Sequence, residues 1–239
     1  NAHCAIEPHA EALAAIDHLA GRDDPRRSFL RSRWFSATGD SSLDPVIVSG
    51  RNGCPILALP LTSRTLGPVS IQQVAGAYWP FRGAPLDRGV AIEDLAAGLG
   101  SFAVRRALGA AWRLGPVIAD DPSVASLRAA ATVAGWHCLE RPVGSLFCLD
   151  LVALREGGNW PSTKGKQKDR WRIRQLEKSG PVSITPYTGT DWTDATRDAI
   201  AQIEAASWVG QLERGGDTKF HDPVLRRFWE IAARDPAIA

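Results

Sequence analysis

The sequence is short of several residue types, and each shortage excludes a class of protein. Its 239 residues include no methionine and only four cysteines, at positions 4, 54, 138 and 148. Four cysteines are too sparse for the disulfide framework of a small secreted protein, so we expect reduced thiols. No apolar run approaches the roughly 18 residues of a membrane span, and the first residues show neither a basic leader nor a long apolar stretch. These absences predict a cytoplasmic protein.

Neither sign of charge is in large excess, because 28 lysines and arginines and 26 aspartates and glutamates leave a net charge of +2. The chain as a whole is not a polycation built for nucleic acid, and we expect no nucleic-acid partner. Hydrophobic residues make up 44% and charged residues 23%, which excludes intrinsic disorder. At about 150 residues per domain, the length fits one large domain or one domain and a fragment. Because the chain begins with Asn1 and has no methionine, we expect the natural sequence to be longer.

Apolar periodicity predicts an ordered series of strands and helices between residues 3 and 152. The predicted strands are 3–7, 46–49, 55–62, 69–74 and 112–118, then a hairpin that pairs the surroundings of Cys138 and Cys148; the predicted helices are 10–19, 24–39, 92–108 and 122–134. Asn52-Gly53 and Gly67-Pro68 are turn sequences, so the three strands between 46 and 74 should form an antiparallel meander.

The resulting order, β-α-α-β-β-β-α-β-α-β-β, resembles that of the GNAT acyltransferases over residues 3–152. The resemblance implies an α/β fold with a mixed, mostly antiparallel sheet flanked by helices. It also implies acyl transfer from acetyl-CoA or another acyl-CoA, which is a co-substrate and not a tightly bound cofactor.

Part of this order is repeated after 157–162, where two glycines and a proline indicate a linker. Residues 184–187 are similar to 6–9, each a strand end before a helix, and Asp222-Pro223 is similar to Asp24-Pro25. We therefore predict tandem units. The first GNAT-like unit is residues 1–158, and residues 159–239 are the start of a second, incomplete one.

GNAT enzymes hold acyl-CoA with a Q/R-x-x-G-x-G/A loop that opens a helix, whose backbone N–H groups bind the pyrophosphate. The nearest sequence, Gln73-Val74-Ala75-Gly76-Ala77-Tyr78, departs from this pattern at Tyr78, and the next predicted helix begins only at Ile92. Residues 1–152 are therefore not expected to bind CoA in the usual way. The equivalent loop of the second unit would lie beyond Ala239.

The segment 78–85 is dense in aromatic residues and carries one arginine. Trp79, Phe81 and Arg82 could form a stacking wall and an anion contact for a sugar, nucleotide or peptide substrate. The alternative is a proline-stiffened loop whose rings cover the core. We name the three as candidate substrate-binding residues.

A basic segment lies at 164–178, where seven cations face two acids, for a local charge of +5. A helix over 167–179 puts Lys168 and Arg172 on one face, able to hold phosphates, while Ile173 and Leu176 face inward. The alternative is a solvated helix face. Lys168 and Arg172 are nevertheless predicted to contact substrate.

The run from Lys168 to Gly180 looks like the basic helix that opens the second domain of FemAB-like and CelD-like acyltransferases. The segment 78–82 and Ser207-Trp208 are also similar to CelD-like sequences, a bacterial group associated with cellulose or exopolysaccharide synthesis. The resemblance implies tandem GNAT units of which the second binds the acyl donor. Trp208 is then a further candidate for substrate binding, and packing into the core is its alternative role.

No residue is predicted as a catalytic base, and no metal site is expected. Cys138 and Cys148 with His137 would crowd three ligands on one hairpin, which rarely makes a tetrahedron. The sequence thus predicts an acyltransferase that moves an acyl group, most simply acetyl, to an amine or hydroxyl of a small molecule, saccharide or peptide. Two alternatives are a non-catalytic GNAT-like scaffold and a nucleic-acid-binding protein that uses helix 164–178.

Overall fold

The computed structural model describes residues 9–37, 43–76, 83–145, 150–158, 163–183, 185, 187, 192–211, 213 and 216–232. Backbone contacts divide the chain into two compact units, one formed by 1–142 with 188–239 and the other by 143–187. These compact units are not the two GNAT-like units, 1–158 and 159–239, that the sequence predicts as a duplication. That duplication stays a prediction. No helix in the described ranges is long and apolar enough to cross a membrane.

The first unit opens with helix α1, His9–Arg22, which buries Ile16 and Leu19 on one face. The single helix predicted over 24–39 is wrong, because this segment forms a short 3-10 turn, Pro25–Arg27, and a separate helix α2, Ser32–Ser36. Asp17 of α1 bonds to the first residue of α2: its carboxylate accepts the backbone N–H and the hydroxyl of Ser32, both at 2.8 Å. The predicted first strand, 3–7, lies outside the described residues.

The predicted meander is confirmed as strands β1, Asp44–Ser49, β2, Pro55–Leu66, and β3, Val69–Val74, all antiparallel. Gly53 and Gly67 lie at the turns with φ of 79° and 59°, which glycine adopts without a steric cost. The centre of β2 is buried from Ile56 to Thr62, as expected for a strand covered on both faces.

The fourth strand makes the sheet mixed. Strand β4, Trp112–Arg113, pairs in parallel with β3 through Gln72↔Trp112 and Gln73↔Arg113, so the sheet order is β1-β2-β3-β4. The predicted strand 112–118 is too long, because Pro116 has no N–H to donate to a neighbouring strand. The α/β class is therefore confirmed as a four-stranded mixed sheet with helices around it.

The helix predicted over 92–108 is interrupted. It forms α3, Ile92–Gly100, and α4, Phe102–Leu108, since Ser101 is extended and its hydroxyl caps α4 by accepting the N–H of Val104 at 3.4 Å. The helix predicted over 122–134 is confirmed as α5, Pro122–Val133, which Asp121 caps and which packs against α3. The core runs through α1, the sheet, α3 and α5, with Leu19, Leu57 and Leu99 fully buried.

The predicted hairpin at Cys138 is not formed in the described residues, because 137–145 contain no strand and Cys148 lies outside them. The second unit contains helices α6, Leu151–Glu156, and α7, Thr163–Glu177. Helix α8, Asp194–Ala206, a 3-10 turn, Trp208–Gly210, and helix α9, Pro223–Ala232, belong to the first unit, where α9 packs against α2.

Candidate functional site

A cleft of about 130 Å³ lies in the first unit, between the turn that follows α1 and the loop that precedes α5. One wall carries Asp24, Arg27 and Leu30, and the other runs from Val117 to Pro122. An engineered cavity of similar size accepts one benzene molecule, so this cleft fits the end of a substrate and not a whole nucleotide.

The cleft lies beyond the carboxyl ends of the two parallel strands. Gly83 belongs to the chain that follows β3, Val117 and Ile118 belong to the chain that follows β4, and all three line the cleft. The strands pair at only two positions, and Ala75 then bonds through its N–H to Pro60 of β2 at 2.8 Å. Parallel strands characteristically receive ligands in a crevice outside their carboxyl ends.

Arg27 forms the floor of the cleft and is held on three sides. Its Nε donates to Asp23 at 3.0 Å, Nη2 donates to the Ala84 carbonyl at 2.7 Å, and Nη1 donates to Asp121. The Arg27 side chain is 10% exposed and that of Asp23 is fully buried. Since a planar guanidinium presents donors in a fixed fork, Arg27 fixes the relative positions of the three segments that form the cleft.

Gly83 lies close beside this guanidinium. A Cβ at Gly83 would lie 3.0 Å from Leu30 Cδ1 and 3.1 Å from Arg27 Nη2. A side chain at residue 83 would therefore require these neighbours to shift by a few tenths of an ångström.

The three carboxylates of the cleft differ in the number of hydrogen bonds that they accept from the protein. Asp121 caps α5 by accepting the N–H groups of Ser123 and Val124, and it also accepts from Arg27. Asp24 accepts from Arg88 Nη2 at 3.1 Å. Asp120 is exposed at the rim, and no described residue bonds to its carboxylate. Three carboxylates and one guanidinium give the lining a net charge of −2, and Asp120 is the acid most open to a ligand.

The predicted residues Trp79, Phe81 and Arg82 lie outside the described residues. The described chain stops at Gly76, directly after β3, and resumes at Gly83 in the wall of the cleft. The sequence segment that carries the three is therefore attached at both ends to elements that position the cleft.

The other three predicted residues lie elsewhere. Lys168 and Arg172 share one face of α7, as predicted, and both are exposed; Arg172 also forms a 3.6 Å ion pair with Asp169. Trp208 belongs to the first unit and is 71% exposed, which contradicts its alternative role in core packing. Leu176, predicted to face inward, is 59% exposed. The described structure thus brings together only Lys168 and Arg172 of the predicted set.

The cleft carboxylates were not identified from the sequence. Asp24-Pro25 and Asp121-Pro122 have the pattern of helix caps, and the cap role explains each residue locally. What the pattern could not show is that Arg27 bonds to Asp121 across 94 residues of sequence. The sequence has two successive aspartates, Asp120 and Asp121, before Pro122, although a helix cap needs only one. The extra aspartate was the one indication in the sequence that this segment could also bind a ligand.

No group of three His, Cys, Asp or Glu side chains in the described ranges is placed to hold a metal ion. The helix start that would receive a pyrophosphate is also unsuitable, because α3 has Glu93 and Asp94 in its first turn and no side-chain cap at Ala91. Two carboxylates at a helix start occupy and repel the position that an anion would use.

None of the family models, curated proteins and solved structures compared with this chain matches it.

Proposed function

We propose that the protein is an acyltransferase that moves an acyl group from an acyl-CoA to an amine acceptor bound in the cleft. The observation that carries the proposal is the position of the cleft beyond a parallel strand pair, β3 with β4, that follows an antiparallel meander. This arrangement agrees with the part of the predicted GNAT-like order that covers residues 46–118, in which an antiparallel meander is followed by a helix and a further strand.

The charge and size of the cleft favour an amine over a hydroxyl acceptor. Its lining has a net charge of −2, which attracts an ammonium group, whereas a neutral hydroxyl gains nothing from it. A volume of about 130 Å³ holds an aminoalkyl group or a small amino compound. Trp79, Phe81 and Arg82, which precede Gly83 in the sequence, are proposed to contact the remainder of the acceptor.

Asp120 is proposed to bind the amine and to take its proton. The bound ammonium first loses a proton to solvent, which frees the electron pair of its nitrogen. The neutral amine then attacks the thioester carbonyl, the C–N bond forms, the C–S bond breaks, and the CoA thiolate leaves. The nitrogen loses its second proton in this step, and the Asp120 carboxylate accepts it and passes it to solvent or the thiolate. A positioned acid or base of this kind contributes about 100-fold or more to the rate.

The acyl-CoA donor is proposed to bind away from the start of α3. Its diphosphate would meet Glu93 and Asp94 there. The resemblance to tandem acyltransferases implies donor binding by the second GNAT-like unit predicted from the sequence, residues 159–239, and Lys168, Arg172 and Trp208 are candidates for substrate contact on that basis.

The test measures thiol release from acetyl-CoA by the full-length protein with a panel of primary amines and matched alcohols. We expect amine-dependent release, reduced about 100-fold in kcat/KM by Asp120→Asn. The control is Asp217→Asn, an exposed aspartate outside the cleft lining. Release that is independent of amine, or equal in both variants, would contradict the assignment of Asp120.

A non-catalytic scaffold is the second candidate. The acidic start of α3 favours it, because that feature removes the usual pyrophosphate site from the first unit. Thermal shift with millimolar acetyl-CoA distinguishes the two: stabilisation supports the enzyme, and no stabilisation of the full-length protein supports the scaffold.

A further inference from the structure

The second unit is unusual in how little it buries. No described residue between 143 and 187 is buried, and the apolar side chains of Leu151, Val152, Trp171 and Leu176 are each more than half exposed. Helix α7 is the longest element of the unit, and its described side chains from 166 to 178 are exposed except for half-buried Ile173 and Gln175. The unit thus exposes apolar groups on a strongly cationic segment.

Helix geometry places Trp171 in the middle of the cationic face. Lys168 lies three residues before it and Arg174 three residues after it, on the same stripe of the helix, and Lys178 directly follows the last helical residue, Glu177. Arg172 lies on the edge of this face with Lys168, four residues apart. We call this surface the Trp171 face: Lys168, Trp171, Arg172, Arg174 and Lys178.

Among the described residues, Arg172 is the one cation of the Trp171 face that has an acidic partner. The ion pair that the described residues provide joins Arg172 to Asp169 at 3.6 Å, with both side chains more than half exposed. Arg174 donates to the Arg170 carbonyl and Lys178 donates to Gln175, which are neutral acceptors. The face therefore keeps a positive charge to offer to an anionic partner.

We propose that the Trp171 face docks on an anionic lipid membrane surface. Indole rings are amphipathic and settle at the level of lipid headgroups, and lysine and arginine extend their charged ends to lipid phosphates while their stems cover apolar surface. Each cation near an anionic leaflet strengthens binding several-fold. Four cations around one exposed indole match this pattern.

Lipid fits this surface better than nucleic acid does. A strand of nucleic acid is held by several aromatic rings that stack on successive bases in a basic groove. The described part of α7 has one exposed ring on a convex helix. Among the unit's described residues, Tyr187 is the other exposed ring and lies outside the helix, and the remaining exposed apolar groups are aliphatic. Aliphatic side chains find a partner in acyl chains and none on a base.

The test is co-sedimentation of the full-length protein with phosphatidylcholine vesicles that contain either no or 30% phosphatidylglycerol. We expect binding that requires the anionic lipid and is lost when NaCl rises from 50 to 500 mM. Lys168→Gln with Arg174→Gln should weaken partitioning about 25-fold, at about fivefold for each cation. The matched control, Arg64→Gln with Arg106→Gln, removes two exposed cations of the first unit and should change it less than twofold.

Two further measurements keep the proposal falsifiable whatever the double variant does. Trp171→Ala should weaken vesicle binding, whereas Trp208→Ala, which removes another exposed indole, should not. Equal binding to neutral and anionic vesicles, or no binding by the unaltered protein at 50 mM salt, would overturn the proposal. So would binding of a labelled 20-nucleotide single strand without any binding to vesicles, which would assign the face to nucleic acid.

Discussion

The rings of Trp34 and Phe228 meet edge to face, with centroids 4.8 Å apart and planes at 80°. Trp34 lies on α2 and Phe228 on α9, and their exposed fractions are 3% and 1%. Phe29 contacts Trp34 in the same way at 5.0 Å, which extends the aromatic cluster. Edge-to-face pairs contribute about 1 kcal/mol beyond the area they bury. The cluster therefore fixes α9 in the core of the first unit.

Phe228→Ala should lower the free energy of unfolding by about 3–5 kcal/mol, because it removes a fully buried ring from a packed cluster. Urea denaturation measures the difference. Val224→Ala on the same helix is the control, since Val224 is 50% exposed and should cost less than about 1 kcal/mol. Similar losses in the two variants would mean that α9 does not contribute its Phe228 face to the core.

Arg27→Met should destabilise the protein by about 3–5 kcal/mol, because it leaves the buried Asp23 carboxylate without its counter-ion. The comparison is Arg51→Met, which removes the exposed Arg51–Asp94 pair and should cost about 0–1 kcal/mol. Both free energies come from urea denaturation at pH 7. If Arg27→Met costs no more than Arg51→Met, Arg27 does not hold the walls of the cleft together.

The elements that the sequence predicted well are those whose cause is local. The meander follows from Asn52-Gly53 and Gly67-Pro68, which determine the turns by themselves. The break between α3 and α4 could not be predicted, because Phe102 keeps the apolar spacing of the helix although it is 82% exposed. Its apolar character therefore carries no information about burial.

The candidate site was predictable only in part for a different reason. The segment 78–85 was a candidate site because of its aromatic composition, which the sequence shows directly. The cleft depends instead on contacts between distant residues, such as that of Arg27 with Asp121. The sequence pattern Asp121-Pro122 explains Asp121 fully as a helix cap, so it gives no indication that Asp121 also bonds to Arg27. Distant pairs of this kind follow from the packing of α1 and α5 around the sheet, which single-sequence periodicity does not encode.

Gly98→Ala and Gly21→Ala should change stability in opposite directions, although both glycines lie in helices. A Cβ at Gly98 would lie 2.1 Å from Cγ1 of Val48 on β1, so we expect a loss of about 1–3 kcal/mol. Nothing lies within 4 Å of a Cβ at Gly21, so alanine should stabilise by about 0.5–1 kcal/mol.

Urea denaturation of both glycine variants gives the signs. Val48→Ala combined with Gly98→Ala should be less destabilising than the sum of the two single changes, since the smaller side chain makes room for the new methyl group. Additive losses would show that the close approach of α3 and β1 is not the cause.

Glu204 of α8 binds three successive backbone N–H groups, those of Lys219, Phe220 and His221, at 2.8–3.1 Å. Partial burial raises the pKa of Glu204, but the N–H groups of Phe220, His221 and Lys219 together lower it more, so its pKa lies below the ordinary value. A lowered pKa in the folded state means that the ionised carboxylate stabilises the fold. The stabilisation is complete above the ordinary glutamate pKa of about 4.3 and is lost as the pH falls through the lower, folded-state pKa.

Glu204→Gln should therefore lower the Tm at pH 7 by about 2–4 °C, the shift expected for about 1 kcal/mol in a chain of this size. The difference from the unaltered protein should shrink progressively as the pH falls below about 4, because protonation makes the side chain of Glu204 neutral like that of glutamine. Thermal melts followed by circular dichroism between pH 3 and pH 7 measure the trend. Glu213→Gln, at an exposed glutamate, is the control and should leave the Tm within about 1 °C at pH 7. A Tm difference for Glu204→Gln that stays constant over this pH range would show that the shape of the side chain, and not its charge, holds residues 219–221.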